Sequence, residues 1–160
     1  MGQAKSRPLK LAKSVDLKKF CGKWYVLWRI SYPYALKYNE QEIFSLQPDG
    51  KILIEHKFHE GGLNGEQVTV KEIMWSMTPE NTILRQMSGP ETQDYGVIDI
   101  DEQTYDWAAL GTLDRSYCWI ISRKPFLSSK IHNQLISKLI AEGFQITKVD
   151  PVLHNPFSDA

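Results

Sequence analysis

The stretch Phe20-Cys21-Gly22-Lys23-Trp24-Tyr25 indicates the start of the first strand of a closed barrel. Glycine allows the backbone to turn tightly at that point. Side chains alternate along a strand, so Trp24 points inward when Tyr25 points outward. Far downstream, Trp119-Ile120-Ile121-Ser122-Arg123 is an apolar strand that ends in an arginine. Because a guanidinium stacks favourably on an indole, Gly22, Trp24 and Arg123 are predicted to close one end of the barrel.

Three stretches, in this order, resemble the three-part signature of the lipocalin family. They are Gly22-Lys23-Trp24-Tyr25, then Tyr105 with Trp107-Ala108-Ala109-Leu110, then Trp119-Ile120-Ile121-Ser122-Arg123-Lys124-Pro125. Residues 114–125 are especially similar to the branch that contains bacterial lipocalins, plant temperature-induced lipocalins and apolipoprotein D. The resemblance implies an all-β fold, an eight-stranded antiparallel up-and-down barrel with a C-terminal α-helix packed outside.

Turn residues divide the chain into eight segments of strand length. The predicted strands are 22–31, 39–46, 51–58, 66–77, 82–87, 94–100, 105–110 and 116–123. Short strands separated by turn signals predict an antiparallel barrel, and eight strands enclose room for one small ligand. The apolar residues of 127–142 recur at helical spacing, which predicts a helix on the outside of the barrel. Residues 145–149 are predicted to add a short ninth strand.

The termini are predicted to lie outside the folded domain. We expect a flexible basic arm at 1–14, the lipocalin domain at 15–149 and a tail at 150–160. Met1-Gly2-Gln3-Ala4-Lys5-Ser6 matches a myristoylation pattern, which predicts reversible peripheral attachment to a membrane; the alternative is an unmodified tail. No signal peptide is recognisable, because residues 1–14 lack an apolar segment. The resemblance favours the bacterial outer membrane or periplasm. Because this expectation conflicts with the lack of a recognisable signal peptide, the compartment stays open.

The balanced charge gives no indication of nucleic-acid binding, and the positions of the two cysteines argue against a disulfide. Lys and Arg total 19, as do Asp and Glu, so the charge does not predict binding to nucleic acid. If Trp24 and Arg123 lie side by side on antiparallel strands, Cys118 lies roughly 26 Å along the barrel from Cys21, at ~3.3 Å per residue. A disulfide requires Cα atoms within about 7 Å, so two free thiols are predicted.

Strand alternation, together with the family resemblance, predicts which residues line the cavity. The predicted ligand-binding residues are Trp28, Ile30, Glu42, Phe44, Ile83, Arg85, Met87, Trp107, Trp119 and Ile121. Such aromatic and aliphatic walls are typical of pockets for apolar ligands. By the resemblance, the stretch with Tyr32, Tyr34, Leu36 and Tyr38 is the large loop at the open end. It either covers an amphiphile as a lid or packs on the barrel rim.

Glu42 and Arg85 are the charged residues of the predicted lining. A charge inside a barrel is costly unless it is paired or solvated. Three interpretations stay open. The two side chains pair with each other, or Arg85 holds the carboxylate or phosphate of a lipid. The third is a register slip by one residue, which places the charges outside.

Catalysis and metal binding are not predicted. His56 and His59 are three residues apart on a strand, so their side chains face opposite sides and cannot share a metal. The family includes a prostaglandin isomerase with a cysteine nucleophile inside the barrel. Here Cys21 precedes the first strand and Cys118 is predicted to face outward. We therefore expect no enzyme, no metal and no cofactor.

The resemblance implies binding, storage or transport of a small hydrophobic ligand, such as a fatty acid or lysophospholipid, in the barrel. Burial of apolar surface would drive binding, at roughly 25 cal/mol per Å². One alternative is a barrel filled by its own side chains that binds a protein, and a second is a lipocalin-type enzyme. Both a monomer and a homodimer are compatible with the family.

Overall fold

A computed structural model of the protein describes residues 7–30, 37–146 and 149–154, the last segment with backbone only at 149–150. The myristoylation pattern and three residues of the predicted lid (Tyr32, Tyr34 and Leu36) lie outside the described residues. In chain order the elements are α1 (Leu17–Phe20), β1 (Gly22–Ile30), β2 (Lys37–Leu46), β3 (Ile52–Glu60), β4 (Glu66–Ser76), β5 (Ile83–Ser88), β6 (Glu91–Ile100), β7 (Trp107–Thr112), β8 (Cys118–Ser122), α2 (Ser129–Ala141) and β9 (Val149–Pro151).

The strands form a closed antiparallel barrel. Each of β2 to β8 pairs with its neighbour in sequence, and β8 pairs with β1. The first half of β1 also pairs with β2, where Gly22 lies opposite Phe44 and Tyr25 opposite Gln41. This last pairing closes the barrel, so the predicted eight-stranded architecture is confirmed. β9 is added beside β1, at 149–151 rather than at the predicted 145–149.

One end of the barrel is closed by Arg123 and Trp24. The guanidinium carbon lies 3.6 Å from the centroid of the indole. The same guanidinium donates to the carbonyls of Lys19 at 2.6 Å and Lys23 at 2.9 Å. Gly22 has φ +110°, a conformation that favours glycine, and a Cβ there would lie 3.1 Å from Arg123 Nη1 and crowd the guanidinium. The short helix α1, which was not predicted, completes this end.

A β-bulge reverses the face of β1 halfway along the strand. Val26 pairs with Ile121 and Trp28 with Ile120, so Leu27 is an extra residue in β1. Trp24 and Val26 therefore face the interior, whereas Trp28 and Ile30 face outward and pack in the cluster beneath α2. The prediction that Trp28 and Ile30 point inward is wrong, because strict alternation of side chains does not hold across the bulge.

The C-terminal segment satisfies the backbone groups at the bulge. Val152 N–H donates to the carbonyl of Leu27 at 2.9 Å. His154 Nε2 lies 2.8 Å from the carbonyl of Val26. Beyond the bulge β9 pairs with β1, and Asn39 N–H donates to the carbonyl of Leu153 at 2.8 Å. Residues 149–154 thus lie against the barrel, so the predicted tail at 150–160 does not begin at 150.

The N-terminal segment also packs on the barrel. Ala12 N–H donates to the carbonyl of Val97 at 2.9 Å, and Arg115 Nη2 donates to the carbonyl of Arg7 at 2.6 Å. Leu11 lies directly over Gly96, where an added Cβ would come within 2.5 Å of its side chain. Residues 7–14 are therefore held in place, contrary to the prediction of a flexible arm.

Two apolar clusters stabilise the fold. The inner cluster fills the closed half of the barrel and includes Phe20, Trp24, Phe44, Met74 and Leu84. The outer cluster joins the barrel wall to α2 and includes Trp28, Cys118, Ile120, Leu135, Leu139 and Phe144. Both cysteines have free thiols. Among the helices of the described residues, none has the length and hydropathy needed to cross a membrane.

Candidate ligand-binding site

The barrel interior contains an open chamber above the packed inner cluster. One part has a volume of about 400 Å³ and is lined by Gln86, Ser88, Gln93, Tyr95, Thr112, Ser116, Tyr117 and Trp119. An adjoining part of about 290 Å³ shares Gln86, Ser88, Tyr117 and Trp119 with the first. Cavities of this size are in the range of small-molecule sites. The chamber is the candidate site.

One side of the chamber is an aromatic wall formed by Tyr95, Tyr117 and Trp119. The Trp119 ring lies 5.2 Å from the Tyr95 ring in an edge-to-face arrangement and 5.5 Å from the Tyr117 ring. The Tyr95 hydroxyl donates to Gln86 Oε1, and the Tyr95 ring contacts Trp119. Trp119 is only half-buried. Its remaining surface is available to an apolar group in the chamber.

Beside it lies a polar wall formed by Arg29, Lys37, Glu40, Glu42, His56, Glu72 and Gln86. The two walls adjoin, because Arg29 pairs with Trp119 between β1 and β8 and donates to the Tyr117 hydroxyl. At its centre Arg29 donates to Oε2 of Glu40, and Nε2 of His56 lies 2.6 Å from the same oxygen. The Glu40 side chain is 2% exposed. Glu72 accepts a hydrogen bond of 2.8 Å from the amide of Gln86. A cluster of buried, ionisable side chains therefore adjoins the aromatic wall.

Two backbone irregularities direct this polar wall inward. The bulge in β1 turns Arg29 to the interior after Val26. In β2 the register shifts between Tyr38 and Gln41, and Asn39 has φ +51°, a conformation that asparagine tolerates better than most residues. The shift accompanies the inward placement of Glu40. Bulges commonly re-aim side chains near functional sites.

Burial governs the protonation of the polar wall. Burial lowers the pKa of His56 to about 4, against the opposing effect of Glu42. The imidazole is therefore neutral at pH 7, and its Nε2 carries the proton that faces Glu40. Burial also raises the pKa of Glu42, although His56, Arg29 and a hydrogen bond from Trp119 oppose this. The pKa of Lys37 is lowered, again mainly by burial.

Three polar atoms of this wall are buried without a hydrogen-bond partner among the described residues. They are Oε1 of Glu40, Oε1 of Glu42 and Nε of Arg29. Buried polar groups are nearly always paired, so each such atom requires an explanation. At the closed end, by contrast, the Arg123 guanidinium donates to several backbone carbonyls. Unsatisfied groups at a cavity wall are typical of a site that a ligand completes.

The structure brings four of the predicted lining residues to the barrel interior. Glu42 and Trp119 face the chamber. Phe44 and Ile121 lie in the packed inner cluster below it, where Phe44 stacks on Phe20 at 5.2 Å. Tyr38, the described residue of the predicted lid, is half-buried on β2.

The other predicted lining residues lie outside the barrel. Trp28, Ile30 and Trp107 pack in or against the outer cluster beneath α2. On β5 the inward residues are Leu84 and Gln86, so Ile83, Arg85 and Met87 face outward. A shift of one residue reverses every side chain of a strand. Arg85 consequently pairs with Asp94 on the outer face, at 2.7 Å from Nε to Oδ1.

Several residues of the chamber were not predicted. They are Arg29, Lys37, Glu40, His56, Glu72, Gln86, Tyr95 and Tyr117. His56 could have been found, because it continues the inward alternation of Ile52 and Ile54 along β3. Arg29 and Glu40 could not, since both depend on irregular pairing. No group of three or more potential metal ligands occurs in the part of the chain that the structure describes.

Comparison with known proteins identifies relatives over most of the chain. A family model described as a lipocalin-like domain matches residues 15–154. Temperature-induced lipocalin-1 from Arabidopsis thaliana is 26% identical over 157 residues, which cover 89% of this chain and 81% of that protein. The outer membrane lipoprotein Blc from Citrobacter freundii is 27% identical over 141 residues, covering 87% and 79%.

Solved structures share the fold at lower identity. Lobster apocrustacyanin A1 superposes with a TM-score of 0.72 at 11% identity, covering 92% of this chain and 91% of that one. The cockroach allergen Per a 4 superposes with a TM-score of 0.68 at 14% identity, covering 92% and 96%. At this identity the likeness concerns the barrel and not the contents of its chamber.

Proposed function

This chain belongs to the lipocalin-like family, and we propose that it binds a fatty acid, a lysophospholipid or a related lipid in the open chamber of its barrel. Lipocalins generally bind small hydrophobic ligands, and they are typically binding proteins rather than enzymes. The role of the protein would be storage or transport of the bound lipid. No chemical step is required, because burial of apolar surface drives the binding.

The aromatic wall is the observation that carries this proposal. The rings of Tyr95 and Tyr117 each contact the Trp119 ring, and all three line a cavity of about 400 Å³. An acyl chain against this wall would bury apolar surface of both partners. If the acyl chain and the aromatic wall together lose about 100 Å² of apolar surface on binding, the gain is about 2.5 kcal/mol. Such a gain raises affinity by more than tenfold.

The chamber fits an amphiphile better than a pure hydrocarbon. The polar wall, which includes Arg29, Glu42 and His56, adjoins the aromatic wall and lines the same space. A lipid with a polar end could place its chain on one wall and its polar end on the other. A ligand without polar groups would leave the orphaned atoms of Glu40 and Glu42 unpaired, which is costly.

Mass spectrometry of organic extracts tests the proposal. The protein is purified gently, and its extract is compared with that of a sample denatured and washed before extraction. We expect a discrete lipid at near-stoichiometric level in the first sample. Recovery of that lipid unchanged after incubation with the protein would also argue against an enzyme.

A matched pair of variants locates the binding site. Trp119→Ala is expected to weaken lipid binding by at least about tenfold, because it removes the centre of the aromatic wall. Trp75→Ala is the control, since Trp75 is a half-buried indole on β4 that the chamber does not include. An empty extract, with no binding of added lipid, would favour the filled barrel that binds a protein partner.

A further inference from the structure

The polar wall of the chamber contains two carboxylates that each have one unsatisfied oxygen. Oε2 of Glu40 accepts from Arg29 and faces His56, whereas its Oε1 has no hydrogen-bond partner among the described residues. Glu42 shows the same pattern, because Trp119 donates to the carboxylate and Oε1 is left buried and unpaired. Both side chains line the same part of the chamber. The atoms that lack partners are hydrogen-bond acceptors.

Acidic side chains also outnumber cationic ones among the described residues of this wall. They are three carboxyl groups, on Glu40, Glu42 and Glu72, and two cations, on Arg29 and Lys37. His56 is neutral at pH 7. Burial raises the pKa of Glu42, which favours its neutral form while the site has no further cation beside it. A cation bound next to Glu42 would favour the ionised carboxylate, because charges in a partly buried site are weakly screened.

Glu42 lies deep in the chamber. In the β1–β2 register it is opposite Trp24, the indole on which Arg123 stacks at the closed end. In the β2–β3 register it is opposite His56. Trp119 donates to the Glu42 carboxyl group, so a ligand group that reaches Glu42 lies beside the indole.

We propose that the polar end of the ligand is a positively charged hydrogen-bond donor, such as a primary ammonium group, that binds Glu42 and Glu40 in the chamber. This inference rests on the proposed function and, among the lipids named there, favours those with an ammonium group over fatty acids. An ammonium supplies N–H donors to the unpaired oxygens, and its positive charge favours the ionised form of Glu42. A bare carboxylate does neither. The site thus selects among amphiphiles by the charge of the end that enters first.

Calorimetric titration with three amphiphiles of equal chain length tests this inference. Decylamine, decanol and decanoate are compared at pH 7, each below its critical micelle concentration. We expect decylamine to bind at least about tenfold more tightly than decanol, with decanoate weakest, because hydrogen bonds between charged groups are stronger than neutral ones. Equal affinities, or a preference for decanoate, would overturn the inference.

A substitution at the proposed contact adds a second test. Glu42→Gln keeps the size of the side chain and removes its charge, so the preference for decylamine over decanol should fall to near parity. Glu55→Gln is the control, because Glu55 is on the same sheet but alternates with Ile54 and His56 and so faces outward. Retention of the full preference in folded Glu42→Gln would overturn the assignment of Glu42.

The outcomes separate this inference from the proposed function. If lysophospholipids or fatty acids bind but decylamine has no advantage, only the inference fails and the lipid-binding function stands. If none of the amphiphiles binds and the extract is empty, the proposed function fails as well. The comparison in the wild-type protein requires no variant, so it remains decisive even if Glu42→Gln does not fold.

Discussion

The closed end of the barrel and its open chamber are formed by the same strands but differ in how their polar groups are satisfied. At the closed end, Arg123 stacks on Trp24 and donates to several backbone carbonyls, and Trp24 Nε1 donates to the carbonyl of Phe20 at 2.8 Å. In the chamber, Glu40 and Glu42 keep unpaired oxygens. The closed end is complete by itself, so we assign it to stability and the chamber to binding.

Removal of the closing indole should have the largest effect. Trp24 is fully buried, and truncation of such a residue typically costs about 3–5 kcal/mol through lost burial and the cavity left behind. We expect Trp24→Ala to lower the free energy of unfolding, measured with denaturant, by that amount. Trp75→Ala serves as the control and should cost clearly less. Equal losses would show that the closed end has no special role in stability.

The pH dependence of stability should reveal the buried state of His56. The pKa of His56 is about 4 in the folded protein, whereas an unperturbed imidazole has a pKa of 6.5, so the unfolded chain binds more protons between these values. The titration of His56 therefore leaves the free energy of unfolding unchanged above pH 6.5 and lowers it as the pH falls from 6.5 to 4. The difference corresponds to about 3 kcal/mol.

His56→Gln isolates this effect, because glutamine can donate to Glu40 but does not titrate. The stability of the wild type relative to His56→Gln should decrease by about 3 kcal/mol from pH 7 to pH 4. Comparison with the variant largely removes the contributions of the other charged groups of the wall, namely Arg29, Lys37, Glu40, Glu42 and Glu72. Parallel pH profiles of the two proteins would contradict the buried, neutral imidazole.

A smaller effect is expected where the C-terminal segment meets the bulge. His154→Ala removes the hydrogen bond to the carbonyl of Val26 and leaves that carbonyl without its side-chain donor. The expected cost is about 1 kcal/mol in the free energy of unfolding. Leu153→Ala is the control, because that side chain is 52% exposed. If the two variants are equally stable, the segment does not depend on His154 for its attachment.

The smallest effect is expected at Arg85. The side chain lies on the outer face and pairs with Asp94, and exposed ion pairs contribute little. Arg85→Ala should change lipid affinity by less than about twofold, in contrast to Trp119→Ala. A loss of tenfold or more in a binding titration would place Arg85 in the chamber and contradict the register of β5.

The sequence predicts the barrel correctly because its signals are local. Turn residues separate the strands, helical spacing marks α2, and the stretches around Trp24 and Arg123 lie on the two strands that meet at the closure. Each of these features depends only on residues that are near one another in the chain or that belong to a recognisable motif.

The chamber is harder to predict because it depends on pairing between strands. The extra residue Leu27 reverses the second half of β1, which exchanges Trp28 for Arg29 at the interior. On β5 a difference of one residue exchanges Arg85 for Gln86. Neither position carries a glycine or proline that would mark an irregularity. Alternation gives the side-chain period of a strand but not its starting point.

We assigned the closed end of the barrel to stability and the chamber to binding. The most direct test of this assignment is the side-chain N–H spectrum of the five tryptophans during titration with a lysophospholipid. Each indole reports one place: Trp24 the closed end, Trp28 and Trp107 the outer cluster, Trp75 the outer face of β4 and Trp119 the chamber. We expect the Trp119 signal to shift saturably while the signals of Trp28, Trp75 and Trp107 stay in place. A shift of those three with Trp119 unchanged would show that the lipid binds outside the barrel and would contradict the assignment of the chamber.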